Sequence, residues 1–159
     1  MLKAYKYRIY PTQDQKEMMQ RIFGQVRFVY NLGLETKISN YNGNRKNITS
    51  IDLSNQIKEL KDSECPWLKE SPSQALQMSV RNLDNAYTNF FRGFGFPKFK
   101  NKHGKQSFQL PQGTSISEDN KQIFIPKLKF VDMDLHREFK GDIKTVTVSK
   151  SFTSKVWCL

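Results

Sequence analysis

A short strand-like run at the start of the chain, with no second strand pattern near it, places the strongest constraint on the fold. Tyr5, Tyr7 and Ile9 alternate with basic residues in KAYKYRIYP, which is the period-two pattern of a half-buried strand. Pro11 ends the run. An isolated strand is not stable alone, and the next strand patterns begin only after Gly93. We therefore expect the first strand to pair with C-terminal strands, so that the helices between them form an insertion.

The next segment has helical periodicity. Thr12 and Gln15 have the spacing of a capping box, and apolar residues then form one helical face as far as about Gly24. A second helix is expected from about Gln25 to the turn-rich YNGNRKN at 41–47. Two helices joined at a glycine would form a helix-turn-helix-like pair.

Two more helices are expected before Gly93. A short one follows Ser50, and a longer one begins with Ser71 as its N-cap and Pro72 at its first position. The predicted buried faces of these helices are Leu53, Ile57 and Leu60 in the first and Leu76, Val80, Leu83, Tyr87 and Phe90 in the second. The longer seam needs a helical partner, so the insertion is expected to be a four-helix lobe.

Beyond Gly93 the pattern changes from helices to strands. SFQL, QIFIPKLKF, IKTVTVSK and KVWCL are rich in β-branched and aromatic residues and are separated by turn-prone segments. Together with the first strand they predict an antiparallel sheet or a small barrel. The expected fold class is therefore α+β, with a helical bundle inserted into a β-domain.

The net charge is the property of the composition that best indicates what the protein binds. The 159 residues include 26 Lys and Arg against 15 Asp and Glu, which gives a net charge of +11. This excess is typical of a protein that binds a polyanion, and nucleic acid is the first expectation. A merely basic soluble protein and a binder of anionic membrane surfaces are the alternatives. No apolar run reaches the length of a spanning helix and no signal-peptide pattern follows Met1, so a cytoplasmic location is expected.

Neither a metal site nor an active site is predicted. Cys65 and Cys158 lie far apart in the sequence and form no zinc-binding pattern. Asp132 and Asp134 could be read as a metal-binding pair, but two-metal nucleases need further carboxylates, so a solvated loop is expected there. The sequence contains no GxSxG motif and no Gly-rich phosphate loop after a strand.

The segment GFGFPKFKNKHGKQSFQ, residues 93–109, is both aromatic and basic and contains no acidic residue. Lysines neutralise phosphates, and exposed Phe rings can stack on unpaired bases, so the combination is suited to single-stranded or folded RNA. Lys98 and Lys100 are predicted to contact phosphates. Phe96 and Phe99 are expected to be largely structural.

Three blocks of the sequence together resemble the TnpB/OrfB family, which are transposon-encoded RNA-guided DNA nucleases related to type V CRISPR effectors. The blocks are YKYRIYPTQDQKEMMQRIFGQVRFVYN, SPSQALQMSVRNLDNAYTNFF and GFPKFKNK, in the family's order. Each block alone is a weak signal, but their joint occurrence is specific. With the closing strands, the likeness covers essentially the whole chain.

The resemblance implies a wedge domain and a recognition lobe. The wedge is an antiparallel OB-like β-barrel from residues 1–11 and 94–159, and the lobe is a helical bundle at residues 12–93. Such proteins hold a guide RNA and recognise a short motif beside the target in double-stranded DNA. Gln77 is the best candidate for contacting that motif, because its amide can pair with a base edge. Relatives continue into a RuvC-type nuclease domain that holds magnesium, so no cofactor is expected in the present sequence and a bacterial cytoplasmic or nucleoid location is implied.

The candidate residues combine the charge pattern and the resemblance. A basic face on the first strand is expected to extend the surface of the Lys-rich segment. The candidate nucleic-acid-binding residues are Lys3, Lys6, Arg8, Arg27, Ser54, Gln77, Arg81, Lys98, Lys100, Lys102, Lys105 and Gln109. The leading hypothesis is a non-catalytic binding module that contacts guide RNA and target DNA. The alternatives are a helix-turn-helix repressor or transposase accessory protein, and one half of a split nuclease whose catalytic domain is a separate chain.

Overall fold

The protein has α+β architecture in the computed structural model, which describes residues 2–44, 47–150 and 156–158. These residues contain three α-helices, one short 3-10 helix and seven strands. The helices are α1 (Gln13–Asn44), α2 (Ser50–Asp62), the 3-10 helix (Pro66–Glu70) and α3 (Ser73–Phe91). The strands are β1 (Tyr7–Tyr10), β2 (Gln106–Leu110), β3 (Ser115–Ile116), β4 (Gln122–Ile125), β5 (Lys129–Asp134), β6 (Val146–Lys150) and β7 (Val156–Cys158).

The chain divides into two compact units. The sheet unit contains residues 1–23 and 105–159, and the helical unit contains residues 24–104. Helix α1 therefore begins in the sheet unit and continues in the helical unit. The sequence-based division at 11/12 and 93/94 into wedge and recognition domains stays a prediction.

All strand pairs in the sheet unit are antiparallel, in the order β2-β6-β7-β1-β5-β4-β3. Strand β1 lies between β7 and β5, so the predicted pairing of the first strand with C-terminal strands is confirmed. Tyr7 and Ile9 are buried, as the period-two pattern predicts. Residues at alternate positions of β2, β4, β5 and β6 complete the apolar face of the sheet.

A closed OB-like barrel is not confirmed. Among the described residues, β2 and β3 stand at opposite ends of the strand order, and no ladder joins them. Strand β3 has only two residues, Ser115 and Ile116, and pairs with β4 alone. So short a strand offers few backbone groups to a second neighbour, and the sheet stays open in this part of the chain.

The first turns of α1 are fixed to the strands of the sheet unit by hydrogen bonds. The predicted capping box is confirmed, since the Thr12 N–H donates to Gln15 Oε1 at 2.9 Å and the Gln15 N–H to Thr12 Oγ1 at 3.3 Å. The Gln15 side-chain amide also donates to the carbonyls of Leu128 and Phe130, at 3.2 and 2.7 Å.

The predicted helix break near Gly24 is wrong, because α1 is one continuous helix of 32 residues. The buried positions Met19, Ile22, Val26 and Val29 follow each other at helical spacing through the glycine. A glycine inside a helix is destabilising by only about 1 kcal/mol, and burial of this apolar face outweighs it.

The helical unit packs α2 and α3 against the C-terminal part of α1. Leu53, Leu76 and Leu83 are almost fully buried. A Cβ placed on Gly33 would lie 2.9 Å from Leu83 Cδ2, so the close approach of α3 to α1 requires a glycine there. The unit has three α-helices and a 3-10 helix among its described residues, so the expected four-helix lobe is wrong because α1 is not divided.

The start of α3 also differs from the prediction. Pro72, not Ser71, occupies the N-cap position. Ser71 is buried, and its hydroxyl donates to Gln25 Oε1 instead of capping the helix. The Gln25 amide in turn donates to Glu70 Oε2 at 3.3 Å. A tertiary hydrogen bond has therefore replaced the local cap.

None of the helices in the described part of the chain combines the length and the apolar composition needed to cross a bilayer.

Candidate nucleic-acid interface

The aromatic and basic segment begins at the end of α3, where a Schellman motif fixes its direction. Arg92 is the C-cap, and Gly93 follows with a φ of +99°. The Gly93 N–H donates to the Phe90 carbonyl at 3.0 Å, and the Phe94 N–H donates to the Asn89 carbonyl at 3.1 Å. Glycine suits this left-handed position because it has no Cβ. The chain leaves the helix in one defined direction, with Phe94 67% exposed.

Residues 97–100, here called the strap, are held against α1 by one side chain. Asn31 Nδ2 donates to the Lys100 carbonyl, and Asn31 Oδ1 accepts from the Lys100 N–H, both at 2.8 Å. Pro97 is buried at the other end of the strap. Asn31 thus bonds both the N–H and the C=O of Lys100, as a neighbouring residue does in an antiparallel β-ladder. Its side-chain amide takes the place of a partner strand.

The Lys100 ammonium lies on an aromatic ring. Its Nζ is 4.3 Å from the centroid of Tyr30, a cation–π distance. Desolvation of the ammonium lowers the pKa of Lys100, and burial raises the pKa of Tyr30. Lys100 was predicted to contact a phosphate. The ring covers one side of its ammonium, so a phosphate would have to approach from another side, whereas Lys98 is exposed.

Four rings at the end of α3 and in the following segment form an aromatic cluster: Tyr87, Phe90, Phe91 and Phe96. Phe96 packs edge-on against both Tyr87 and Phe90, with centroids 5.7 and 5.1 Å apart. Phe90 also contacts Phe91, whose side chain is 80% exposed. The expectation that Phe96 is structural is consistent with these contacts, although 45% of the residue is exposed. The cluster therefore presents ring surface to solvent from a fixed position.

Lys37 contacts the buried side of this aromatic cluster through Tyr87. Its side chain is only 10% exposed, and its Nζ lies 3.1 Å from Asp84 Oδ1. The same ammonium is 5.1 Å from the centroid of Tyr87 and donates to the Ile48 carbonyl. One buried cation thus connects α1, α3 and the segment before α2.

A polar face of the helical unit carries Gln77, which is predicted to contact the target-adjacent motif, and two other predicted nucleic-acid-binding residues. Gln77 and Arg81 are exposed and lie one turn apart on α3, in line with Ser73. Lys61 Nζ lies 3.1 Å from Ser73 Oγ, which joins this line to α2. Ser54 is half-buried on α2, seven residues before Lys61 and therefore on the same side of that helix.

The outer face of the sheet unit carries a second group of polar residues. Gln109 and Ser107 alternate with the buried residues of β2, and they pair in register with Thr147 and Ser149 of β6. Arg8 occupies the same kind of position on β1, and its guanidinium lies 5.1 Å from the centroid of the Tyr10 ring. This face is polar and partly basic.

The structure distributes the predicted residues over several places. Those of the sheet unit are Lys3, Lys6, Arg8, Lys105 and Gln109, and those of the helical unit are Arg27, Ser54, Gln77, Arg81, Lys98, Lys100 and Lys102. Within the helical unit, they fall into the strap region, the polar face of α2 and α3, and a cavity along α1. Their roles in binding stay predictions. No group of three metal-ligating side chains occurs among the described residues.

Sequence reasoning missed the residues that hold the strap and the cluster. Asn31 bonds to a residue 69 positions away, and the partners of Lys37 lie on α3 and in the segment before α2. No local pattern marks such residues. The one local signal is Lys37, a lysine on the helix face that also carries Val26, Val29 and Leu34.

The chain matches one family model and is similar to several known proteins. Residues 1–46 match the model of HTH_OrfB_IS605, described as a helix-turn-helix domain. The chain is 38% identical over 152 residues to "Putative RNA-guided DNA endonuclease InsQ" of Escherichia coli (strain K12), covering 94% of this chain and 38% of the relative. The chain is 35% identical over 127 residues to "Putative RNA-guided DNA endonuclease" of Streptomyces pristinaespiralis. These residues are 79% of this chain and 32% of that protein. "Virulence protein VsdF" of Salmonella dublin is 40% identical over 119 residues, which are 66% of this chain and 98% of VsdF.

The chain spans only about two fifths of InsQ and a third of the Streptomyces protein. In addition, the described part of the helix-turn-helix match contains β1 and the single helix α1, without a turn between two helices.

Proposed function

Because the chain belongs to the TnpB/OrfB family, we propose that it is a nucleic-acid-binding module of an RNA-guided DNA endonuclease, with a guide RNA and target DNA as its partners. The charge of +11 supports a polyanionic partner. The residues of the module hold and orient nucleic acid, and base pairing between guide and target supplies most of the sequence specificity.

The observation that carries this proposal is the fixed display of rings and cations after α3. Phe91, Phe94 and Phe99 are 80%, 67% and 55% exposed, on a segment that a Schellman motif and the Asn31 side chain hold in place. Several large apolar side chains exposed close together are typical of an interaction site. Unpaired bases stack on such rings, and lysines beside them contact the phosphates between the bases.

The guide RNA is the proposed partner of the strap and of the outer face of the sheet unit. Lys98 and Lys100 contribute charge in the strap, with Lys102 two residues after it, and Arg8 and Gln109 contribute charge and hydrogen bonds on the outer face of the sheet unit. In this proposal the sheet unit is the wedge of the family, an OB-like domain. OB-type sheets bind single strands on such a face, which supports the assignment.

Target DNA is the proposed partner of the polar face on α2 and α3. Gln77 is exposed on an ordered helix and can pair through its amide with adenine in the major groove. Arg81, one turn further along α3, is placed to contact a phosphate beside that base. Ser54 would contact the same duplex from α2.

Cleavage of the target requires carboxylates that hold magnesium, and in this proposal a RuvC-type nuclease domain supplies them. That domain is either part of the same polypeptide or a separate chain that associates with this module. Mixing the module with such a chain, guide RNA and magnesium restores cleavage of the target if the separate-chain form is right. Cleavage that never appears would reject that form.

The salt dependence of RNA binding tests the phosphate contacts. Changing Lys98 and Lys100 together to Ala is expected to reduce the slope of log K against log salt by about one to one and a half units, since each phosphate contact on a single strand contributes about 0.7. Lys69→Ala is the matched control, because Lys69 is exposed but paired with Asp62 at 3.2 Å. An unchanged slope in the double variant would exclude these phosphate contacts.

The RNA that copurifies with the protein tests the partner. A transcript from a transposon end is the expected result. A protein that after nuclease treatment still prefers one duplex sequence in gel shifts would instead be a DNA-binding repressor or transposase accessory protein.

A further inference from the structure

A cavity of about 490 Å³ lies along α1 in the helical unit, and of its lining residues the proposed function uses only Phe99, as a stacking ring. We propose that this cavity binds one unstacked nucleobase of a single strand, with guanine preferred over the other bases. The inference rests on the proposed function, because it assumes a nucleic-acid ligand. The volume is within the range of sites for small organic ligands.

One of the residues that line the cavity is a glycine that packing does not require. Gly24 lies in the interior of α1, where glycine is destabilising relative to alanine. A Cβ added to it would meet only Arg27 Nη2, at an ordinary contact distance of 3.8 Å. Gly33 of the same helix differs, because an added Cβ there would lie 2.9 Å from Leu83 Cδ2. Gly24 thus leaves helix backbone open to the cavity, as expected where a ligand approaches closely.

Two Phe rings line the cavity and can hold a flat ligand. Phe28 belongs to α1, and the Trp67 ring packs edge-on against it with centroids 5.0 Å apart, which fixes its orientation. Phe99 belongs to the strap and is 55% exposed. Phe99 is held in place because the neighbouring Lys100 is bonded to Asn31, which also lines the cavity. Bases stack on aromatic rings of this kind whatever their sequence.

The polar residues of the cavity supply the base preference. Arg27, Asn31 and Glu35 are spaced by four residues and therefore line one face of α1. Both polar atoms of the Asn31 amide bond to Lys100, which leaves the Glu35 carboxylate as the acceptor for a base. A carboxylate only accepts hydrogen bonds.

Guanine fits this acceptor best. Its Watson–Crick edge presents N1–H and the N2 amino group side by side, so it can donate two hydrogen bonds to one carboxylate. Adenine and cytosine place a ring nitrogen acceptor beside their amino group, and that nitrogen repels a carboxylate. Uracil offers a single donor between two carbonyl oxygens. The Arg27 guanidinium is suited to the phosphate next to the bound base.

Binding of labelled oligonucleotides to the full chain tests the base preference. The probes are a fluorescein-labelled twelve-residue oligouridine and versions with one central G, A or C, with the matching deoxythymidine series to distinguish RNA from DNA. The G probe is expected to bind about five- to tenfold more tightly than the A and C probes. Glu35→Gln is expected to abolish this difference and to favour A, because an amide offers a donor and an acceptor. A preference for G that survives Glu35→Gln would overturn the proposal.

Two glycine variants separate occupancy of the cavity from stability of the fold. Gly24→Leu is expected to fill the cavity and remove the G preference, while the midpoint of urea unfolding stays equal or rises because leucine is the better helix former. Gly43→Leu is the control, because Gly43 is also in α1 and an added Cβ there meets nothing within 4 Å. It should bind as the unmodified protein does. A Gly24→Leu variant with the full G preference would refute the site.

The outcomes also separate this inference from the proposed function. Salt-dependent binding of oligouridine with no gain from G overturns the cavity inference and leaves the proposed function standing. Failure of every probe to bind at modest salt overturns both.

Discussion

The two hydrogen bonds of the Asn31 side chain are expected to control how often the strap opens. The side chain makes two hydrogen bonds to the backbone of Lys100, both at 2.8 Å, and an exposed bond of this kind contributes about 0.5–1 kcal/mol. Asn31→Ala should therefore lower the free energy of strap opening by about 1–2 kcal/mol. Native-state hydrogen exchange of the Lys100 amide reports this opening, and its rate should rise about 5- to 30-fold. The urea midpoint should change little, because Pro97 is the one buried residue of the strap.

Asn101→Ala is the matched control for this experiment. Asn101 Oδ1 accepts from the His103 N–H at 2.9 Å, so its loss should affect the turn after the strap and leave exchange of the Lys100 amide unchanged. Asn31→Asp keeps the acceptor for the Lys100 N–H and should give an intermediate rate. If the Lys100 amide exchanges at the same rate in Asn31→Ala and in the unmodified protein, the strap is held by other contacts and the reasoning fails.

Two further substitutions test the supports of the aromatic cluster. Gly93→Ala should destabilise the protein by about 1–2 kcal/mol in urea unfolding, because φ at Gly93 is +99°, whereas Gly95→Ala, at a site with open space and no positive φ, should stay within about 0.5 kcal/mol. Equal effects of the two would contradict the Schellman motif. Lys37→Met should cost about 1–3 kcal/mol, since it leaves the Asp84 carboxylate and the Ile48 carbonyl without this partner. A double-mutant cycle with Asp84→Asn measures the coupling of the pair, and strictly additive effects would show that the pair contributes nothing.

The sequence predicts a helix or strand correctly where the local residue pattern and the tertiary packing favour the same structure. The strand at Tyr7–Tyr10 is an example, because its period of two and its lack of a local partner both require distant strands, and β5 and β7 supply them. The helix break at Gly24 is the opposite case. A glycine is a weak local signal, and the apolar periodicity continues through it without a change of phase.

The candidate site could be predicted in its composition but not in its geometry. The rings and lysines of residues 93–109 are visible in the sequence, whereas the Asn31 contact that orders them joins residues 69 positions apart. Ser71 is a second residue whose role depends on a partner far away in the sequence. The local sequence predicts that Ser71 is an N-cap, but its hydroxyl donates a hydrogen bond to the buried Gln25, 46 positions away.

The strap connects the cavity with the lysines that are proposed to bind phosphate. Phe99 lines the cavity, Lys98 and Lys100 lie on either side of it in the chain, and one amide holds all three in place. A base that binds against Phe99 favours the closed strap, and a phosphate that binds the lysines favours the same state. Because such coupling is reciprocal, each ligand must strengthen the binding of the other by the same factor. Asn31→Ala should therefore weaken both contacts and leave them coupled, whereas Gly24→Leu should remove base binding and leave the phosphate contacts near their original strength.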